Sequence, residues 1–205
     1  MTDLNTAVSL FLESVRERIP DPEEFAAYCD VLHRDMARGL VRGKEPPRLM
    51  TTGRHIRIRT ACLDDEPFMR MVEREDDNQR WVGHWPLPWR IARFGDPDFL
   101  QCIIERGDGS PVGILIFCGL THAEEKLQLK RIALIEKGQG FGREALALAQ
   151  KWAFEVVGTP TLFLGTKAEN HRAQHVYLST GFRAGTPLPC TFFYRHREDY
   201  EADNA

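Results

Sequence analysis

The stretch Ile132-Ala-Leu-Ile-Glu-Lys-Gly-Gln-Gly-Phe-Gly-Arg-Glu-Ala-Leu146 decides how this chain is read, together with Asn170-His-Arg-Ala-Gln-His-Val-Tyr-Leu-Ser-Thr-Gly-Phe182 one strand later. The first joins a strand to a helix through Gly138, Gly140 and Gly142. Glycines at alternate positions remove the Cβ atoms that would keep a ligand away from the main chain. The helix that follows places the positive end of its dipole at the same point, so the turn is a candidate site for a phosphate or pyrophosphate. In the second stretch Asn170 suits a helix N-cap and Gly181 a helix stop, while Ala173, Val176, Tyr177 and Thr180 share one face.

The glycines do not fit a Walker loop, because no Gly-Lys-Ser/Thr follows them. Gly140-Phe-Gly142-Arg-Glu-Ala145 does satisfy the dinucleotide pattern G-x-G-x-x-A. That pattern also needs a carboxylate at the end of the next strand, and Leu164-Gly-Thr-Lys167 has none there. A nicotinamide-dependent oxidoreductase is a minor alternative on this evidence.

Working outward, His55-Ile-Arg-Ile-Arg59 alternates as a half-buried strand, and Asp64-Asp-Glu-Pro67 opens a helix. Residues 99–105 and 112–120 are apolar runs joined by a turn-rich segment, which reads as an antiparallel hairpin, and 127–135 is a third strand in that series. A helix over 142–156, a strand over 161–164, a helix over 170–180 and a strand over 190–194 complete the domain. Residues 76–98 show no clean period and read as irregular with one short helix. The expected fold class is mixed α/β (α+β): a central mixed sheet with antiparallel N-terminal strands and one parallel crossover, flanked by helices. Before it, Leu4, Val8, Phe11, Val15 and Ile19 form one helical stripe, and Asp21-Pro22 starts a second helix. The division is thus 1–53, a helical extension with a linker over 41–53, and 54–205, the main domain. Two short amphipathic helices must bury their stripes on that domain or on a second copy of the chain, which would make a homodimer.

Composition narrows the classes. The chain has 205 residues, 42% hydrophobic and 28% charged, which suits a globular domain rather than a disordered one. A net charge of -3 gives no bulk attraction to nucleic acid or anionic membrane, and no apolar run reaches the ~20 residues of a membrane span. Five cysteines without C-x-x-C spacing argue against a zinc site or a disulfide framework. A soluble cytoplasmic protein with no metal, nucleic acid or membrane partner is the expectation.

The glycine loop, its helix, the next strand and the N-x-x-A-x-x-x-Y-x-x-x-G-F helix together resemble the GNAT superfamily of acetyl-CoA-dependent N-acetyltransferases. Arg57-Ile-Arg-Thr-Ala-Cys-Leu-Asp-Asp65 looks like that family's opening, so the resemblance spans about residues 55–195. Within the family, the insertion over 76–98 and the closing strand look most like the branch that acetylates ribosomal-protein N-termini. The resemblance implies acetyl-CoA as cosubstrate. It implies that pantetheine runs along the strand edge at Ile132, Ala133 and Leu134, and that the pyrophosphate rests on Lys137, Gly138, Gln139, Gly140, Phe141, Gly142 and Arg143. Asn170 and Ala173 also belong to its cofactor-binding set. The acceptor, a small-molecule amine or a peptide N-terminus, attacks the thioester directly, and Tyr177 reprotonates the leaving thiolate. A non-catalytic CoA-binding sensor or scaffold would share the loop and lack the acceptor chemistry.

Two departures stand out. Lys137 occupies a place usually held by Arg or Gln, and the strand-to-glycine connection is short: either Ile132 ends the strand or the loop is tighter. Some relatives carry a glutamate where this chain has Gly165, which leaves Glu124, Glu125, Asp76, Asp77 and His84 as candidates to take the amine's proton. Trp81, His84 and Trp85 belong to a segment with three of the four tryptophans. These rings either wall an acceptor pocket, where cation–π contact receives an ammonium, or cover the sheet as core. The tail over 195–200 reads as a solvated strand end.

Overall fold

The computed structural model describes residues 46–186 and 190–205, with scattered positions (16, 21–23 and 26) before them. The two helices expected over residues 1–40 lie outside the described residues apart from one start signal. There, Pro22 opens helical backbone and Asp21 Oδ1 accepts the Glu23 N–H at 3.0 Å.

In chain order the elements are β1 (Leu49–Thr52), β2 (Ile56–Thr60), α1 (Glu66–Arg74), the one-turn α2 (Asp76–Gln79), α3 (Leu87–Gly95), β3 (Phe99–Arg106), β4 (Pro111–Cys118), β5 (Leu127–Leu134), α4 (Phe141–Lys151), β6 (Thr161–Lys167), α5 (His171–Ser179), β7 (Arg183–Ala184), β8 (Cys190–His196) and α6 (Arg197–Asp203). The chain separates into two units. Met1–Pro46 with Trp85–Asp96 is one, to which α3 belongs; Pro47–His84 with Pro97–Ala205 is the other and holds the sheet.

The eight strands run in the order β1-β2-β3-β4-β5-β6-β8-β7. All neighbours are antiparallel except β5 and β6, the parallel crossover that carries α4. Alternation fixes which face each strand buries. In β2, Ile56 and Ile58 enter the core beneath α4, while Arg57 and Arg59 turn to the other face and donate from Nε to Glu105 at 2.8 and 2.5 Å. The α4 face is filled by Leu115, Phe117, Leu127, Leu129, Leu162, Leu164 and Phe193 against Ala145, Leu146, Ala149, Phe154 and Tyr177. On the opposite face α1 packs on β4 and β5 and buries Met69 and Val72 completely.

Several elements differ from what the sequence predicts. Leu49–Thr52, inside the stretch read as linker, is a strand: four residues without a period of their own are held by antiparallel pairing with β2. The segment 76–98 contains two helical pieces, α2 and α3. The helix after the glycines is α-helical over Phe141–Lys151 and continues as a π-helical segment, Trp152–Val157. The tail is not a solvated strand end. Arg195 is 5% exposed, donating to Gln150 Oε1 at 3.1 Å, the Gly181 carbonyl at 3.2 Å and Asp203 Oδ2 at 2.6 Å, and α6 follows it. Three acceptors drawn from α4, the end of α5 and α6 make that buried guanidinium tolerable.

Candidate active site

β5 and β6 pair at Leu127↔Leu162 and Gln128↔Phe163, and then part. β6 goes on to pair with β8, and β5 with β4, so from Leu129 onward the edge of β5 that faces β6 has no strand partner. The separation coincides with a bulge. Ile116 stands opposite Arg131 and Phe117 opposite Leu129, which leaves Lys130 without a partner on β4. One extra residue reverses the faces of everything beyond it. Before the bulge Leu127 and Leu129 enter the core under α4; after it Ile132 and Leu134 do, and Arg131 turns towards α1. There Arg131 meets Glu73 in an ion pair whose partners are 7% and 1% exposed. Ile132, Ala133 and Leu134 are thus the last residues of a strand with a free edge, and Leu134 ends it: the shorter loop is the real alternative.

The turn that follows is anchored at its base and open at its tip. Glu136 pairs with Arg106, and Lys137 Nζ with Glu75 Oε2 at 2.6 Å. That hydrogen bond from Lys137, with its charge, holds the Glu75 carboxyl below its ordinary range. The Lys137 side chain is therefore committed sideways, and what it offers to the turn is its amide. Gly138 and Gly140 have φ of 80° and 82°, where L side chains are strained. A Cβ at either would meet nothing within 4 Å, so the glycines serve backbone conformation and leave open space above the turn. Among the described residues, the N–H groups of Lys137, Gly138, Gln139, Gly140, Phe141 and Gly142 find no acceptor, whereas those of Arg143 and Glu144 bond to the Gly140 carbonyl. Consecutive unbonded amides in this conformation at a helix N-terminus form an anion-binding concavity. The Arg143 guanidinium stands beside it, exposed, with Nε donating to Ser179 Oγ at 3.2 Å. Glu144, the acid in the first turn, reaches away to the backbone N–H of His55 at 2.8 Å and ties α4 to the β1–β2 hairpin.

Across the gap, α5 begins as its sequence implies: Asn170 Oδ1 accepts the Ala173 N–H at 3.1 Å. Tyr177 lies near the other end of α5, 8% exposed, with its ring 5.4 Å from that of Phe193 and 6.4 Å from that of Phe182. Burial pushes its phenol up to about 12, and the hydroxyl bonds to no described residue. The α2 turn bridges the mouth of the gap. Asn78 Nδ2 donates to the Leu134 carbonyl at 3.0 Å at the end of β5, and Lys167 Nζ at the end of β6 donates to the Arg80 carbonyl at 2.7 Å.

The remaining candidates are dispersed. Asp76 and Asp77 are exposed on α2, where Asp76 accepts from Gln79 and Asp77 stands 3.6 Å from Arg80. His84 is exposed, and Trp81 stacks on the Arg80 guanidinium at 5.0 Å. Trp85 belongs to the other unit, where its ring lies 5.9 Å from the Arg90 guanidinium. Glu124 is a surface residue 3.9 Å from His122, whereas Glu125 lines a cavity of about 490 Å3 together with Asp98, Cys118, Gly119, His122, Lys126, Gln128 and Phe163. Gly165 has a local reason to be glycine, since a Cβ there would lie 3.1 Å from the Phe192 ring. Sequence reading missed Gln128 and Phe163, the last pair before the strands part, and the aromatic wall that Phe163 forms with Tyr194 (6.1 Å) and Phe192 (6.3 Å). The signal was available, because Phe163, Phe192 and Tyr194 occupy strand positions that alternate with the core residues Leu162, Leu164 and Phe193.

Comparison with known proteins agrees with this geometry. The family described as Acetyltransferase (GNAT) domain matches residues 55–183. A curated relative, spermidine N(1)-acetyltransferase of Escherichia coli K12, is 23% identical over 155 residues, covering 70% of this chain and 81% of that protein. Among solved structures, spermidine N-acetyltransferase from Vibrio cholerae with CoA and spermine superposes with a TM-score of 0.63 at 15% identity, over 71% of this chain and 98% of that one. A dodecameric form of a Vibrio cholerae spermidine N-acetyltransferase gives 0.59 at 15% identity, over 73% and 98%. With the nicotinamide reading set aside by that match, the chain belongs to the GNAT acetyltransferases, acyltransferases that move the acetyl group of acetyl-CoA to an amine.

Proposed function

We propose that acetyl-CoA lies in the gap between β5 and β6 and that the acceptor is a primary amine of the polyamine class. The observation that carries the cofactor half is the continuity of one unpaired strand edge with a turn of unbonded amides. Pantetheine is an amide-containing chain that hydrogen-bonds as a strand would, so residues 130–134 receive it, and residues 137–142 with Arg143 receive the diphosphate. The acceptor class rests on the curated relative, which is a spermidine acetyltransferase. A peptide N-terminus is the other class that the chemistry admits.

In this reading the free amine attacks the thioester carbon, the C–S bond breaks, and coenzyme A leaves as thiol or thiolate. An N–H of the bulged edge near Lys130 holds the oxyanion, a preorganised donor of the kind that contributes a few kcal/mol to such transition states. Tyr177 supplies a hydrogen bond to the leaving sulfur. With its phenol at about 12 and a thiol near ~8.5, full proton transfer is uphill by about 5 kcal/mol, so the phenol acts mainly by donating a hydrogen bond to developing charge. The proton that the ammonium must lose before attack leaves through the cavity lined by Glu125 and Gln128. Thiol release from acetyl-CoA, measured with spermidine, spermine, short peptides and amino acids, tests this. Turnover with a polyamine supports the reading; turnover with peptides alone replaces the acceptor class; CoA binding without thiol release for any amine leaves a cofactor-binding protein.

A further inference from the structure

The cavity at the closed end of the gap already holds an ammonium group. Gln128 and Phe163 are both its walls and the last register pair before β5 and β6 separate, so it abuts the point where the slot begins. On the face of the Phe163 ring sits Lys126 Nζ, 5.7 Å from the ring centroid. The other titratable walls include Asp98, Glu125 and His122. Asp98 is committed to the turn after β4: it accepts from Thr121 Oγ1 at 2.6 Å, from the Thr121 N–H at 3.1 Å and from the Gly119 N–H at 3.1 Å. Cys118 Sγ, at 3.1 Å, is hydrogen-bonded to Gln128 Oε1. An acceptor cation entering the cavity therefore finds one aromatic face, already covered by a lysine, and one carboxylate, Glu125, with no hydrogen bond to a described residue.

We infer that Lys126 sets which amines this enzyme accepts, by occupying the position that a second ammonium of a polyamine would take. The inference rests on the reading of the gap as the acetyl-transfer slot and deepens it: a polyamine remains an acceptor, and Lys126 lowers its advantage over a monoamine. A monoamine leaves Lys126 on Phe163 undisturbed. A polyamine must bring its next cation close to the lysine charge or displace the side chain from the ring. Two like charges about 6 Å apart in a partly solvated cavity differ by about tenfold in binding from one charge alone. Removing the lysine charge vacates the ring face, and the acceptor's own ammonium can replace it there.

The test compares wild type, Lys126→Met, Lys126→Met with Phe163→Leu, and Lys151→Met as a surface-charge control. Thiol release is measured with spermidine and with n-hexylamine, and spermidine binding by calorimetry in the presence of CoA. Lys126→Met should raise the spermidine-to-hexylamine ratio of kcat/KM about tenfold and tighten spermidine binding by a similar factor. Phe163→Leu in that background should reverse the gain, and Lys151→Met should leave the ratio within twofold of wild type. An unchanged ratio and unchanged spermidine binding in Lys126→Met overturn the inference, as does an equal gain for both amines. If no variant releases thiol, the acetyl-transfer reading of the slot has failed. Calorimetry then decides the Lys126 inference by itself: tighter spermidine binding in Lys126→Met supports it, and equal or absent binding overturns it.

Discussion

Replacing Tyr177 by Phe separates the proposed chemistry from folding. The hydroxyl bonds to no described residue, and the ring packs through its edges on Phe182 and Phe193. Loss of the oxygen therefore removes no hydrogen bond to a described residue and leaves the ring contacts in place, and stability should fall by no more than about 1 kcal/mol. The proposed function of the phenol is a hydrogen bond to a developing thiolate, a bond to a charged group worth about 1.5–3 kcal/mol, which corresponds to roughly 10- to 150-fold in kcat. Because burial holds the phenol at about 12, it stays protonated across the usable range. The pH profile of kcat below about pH 10 should then rise with amine deprotonation and show no falling limb from the phenol, in wild type and variant alike. Thiol-release kinetics, calorimetry with acetyl-CoA and thermal unfolding are the assays. Unchanged kcat would remove Tyr177 from the chemistry. A fall in kcat matched by a large fall in melting temperature would show that the residue is structural and refute the argument from its unbonded hydroxyl.

Three further outcomes are expected. Gly140→Ala puts a side chain at φ 82°, with about 1–2 kcal/mol of strain, and a Cβ over the open tip of the turn; acetyl-CoA binding by calorimetry should weaken at least tenfold with a small change in melting temperature. Glu73→Gln leaves Arg131 buried without its anionic partner and should destabilise by about 3–5 kcal/mol in urea unfolding, whereas Glu73→Met with Arg131→Met should recover much of that loss. Asp65 is pushed up by burial, but hydrogen bonds from Arg59 and the Cys62 N–H outweigh this and leave it below its ordinary range. A depressed folded pKa means stability that is complete above the unfolded value near ~3.9 and lost as pH falls through the lower folded value. The unfolding free-energy difference between wild type and Asp65→Asn should accordingly be largest near pH 5 and shrink towards pH 2; a difference independent of pH would contradict the assignment.

What could be read from the sequence was local. Glycines at 138, 140 and 142, the Asn170 cap and the alternation of Ile56 and Ile58 each act within a few residues, and each lies where its pattern placed it. What could not be read depends on distant partners. Arg131 looks like a surface residue until Glu73, 58 positions away, is brought against it. Arg195 looks solvated until Gln150, Gly181 and Asp203 surround it. The bulge at Lys130 lies between these cases. In Leu127-Gln-Leu-Lys-Arg-Ile-Ala-Leu134 two consecutive charged residues interrupt an alternation that resumes one step out of phase, a mark that a register shift leaves in sequence. The cavity was invisible for another reason. Its walls come from Asp98 before β3, from the connection between β4 and β5 and from the ends of β4, β5 and β6, and only the folded sheet joins them into one surface.

Amide hydrogen exchange with and without acetyl-CoA tests the central claim most directly, because that claim concerns unbonded backbone groups. The prediction is strong new protection on the free edge of β5 over residues 130–134 and in the turn over residues 137–142, with little change in β2 and β3. Cofactor binding that leaves both segments exchanging as before, and protects amides elsewhere, would contradict it.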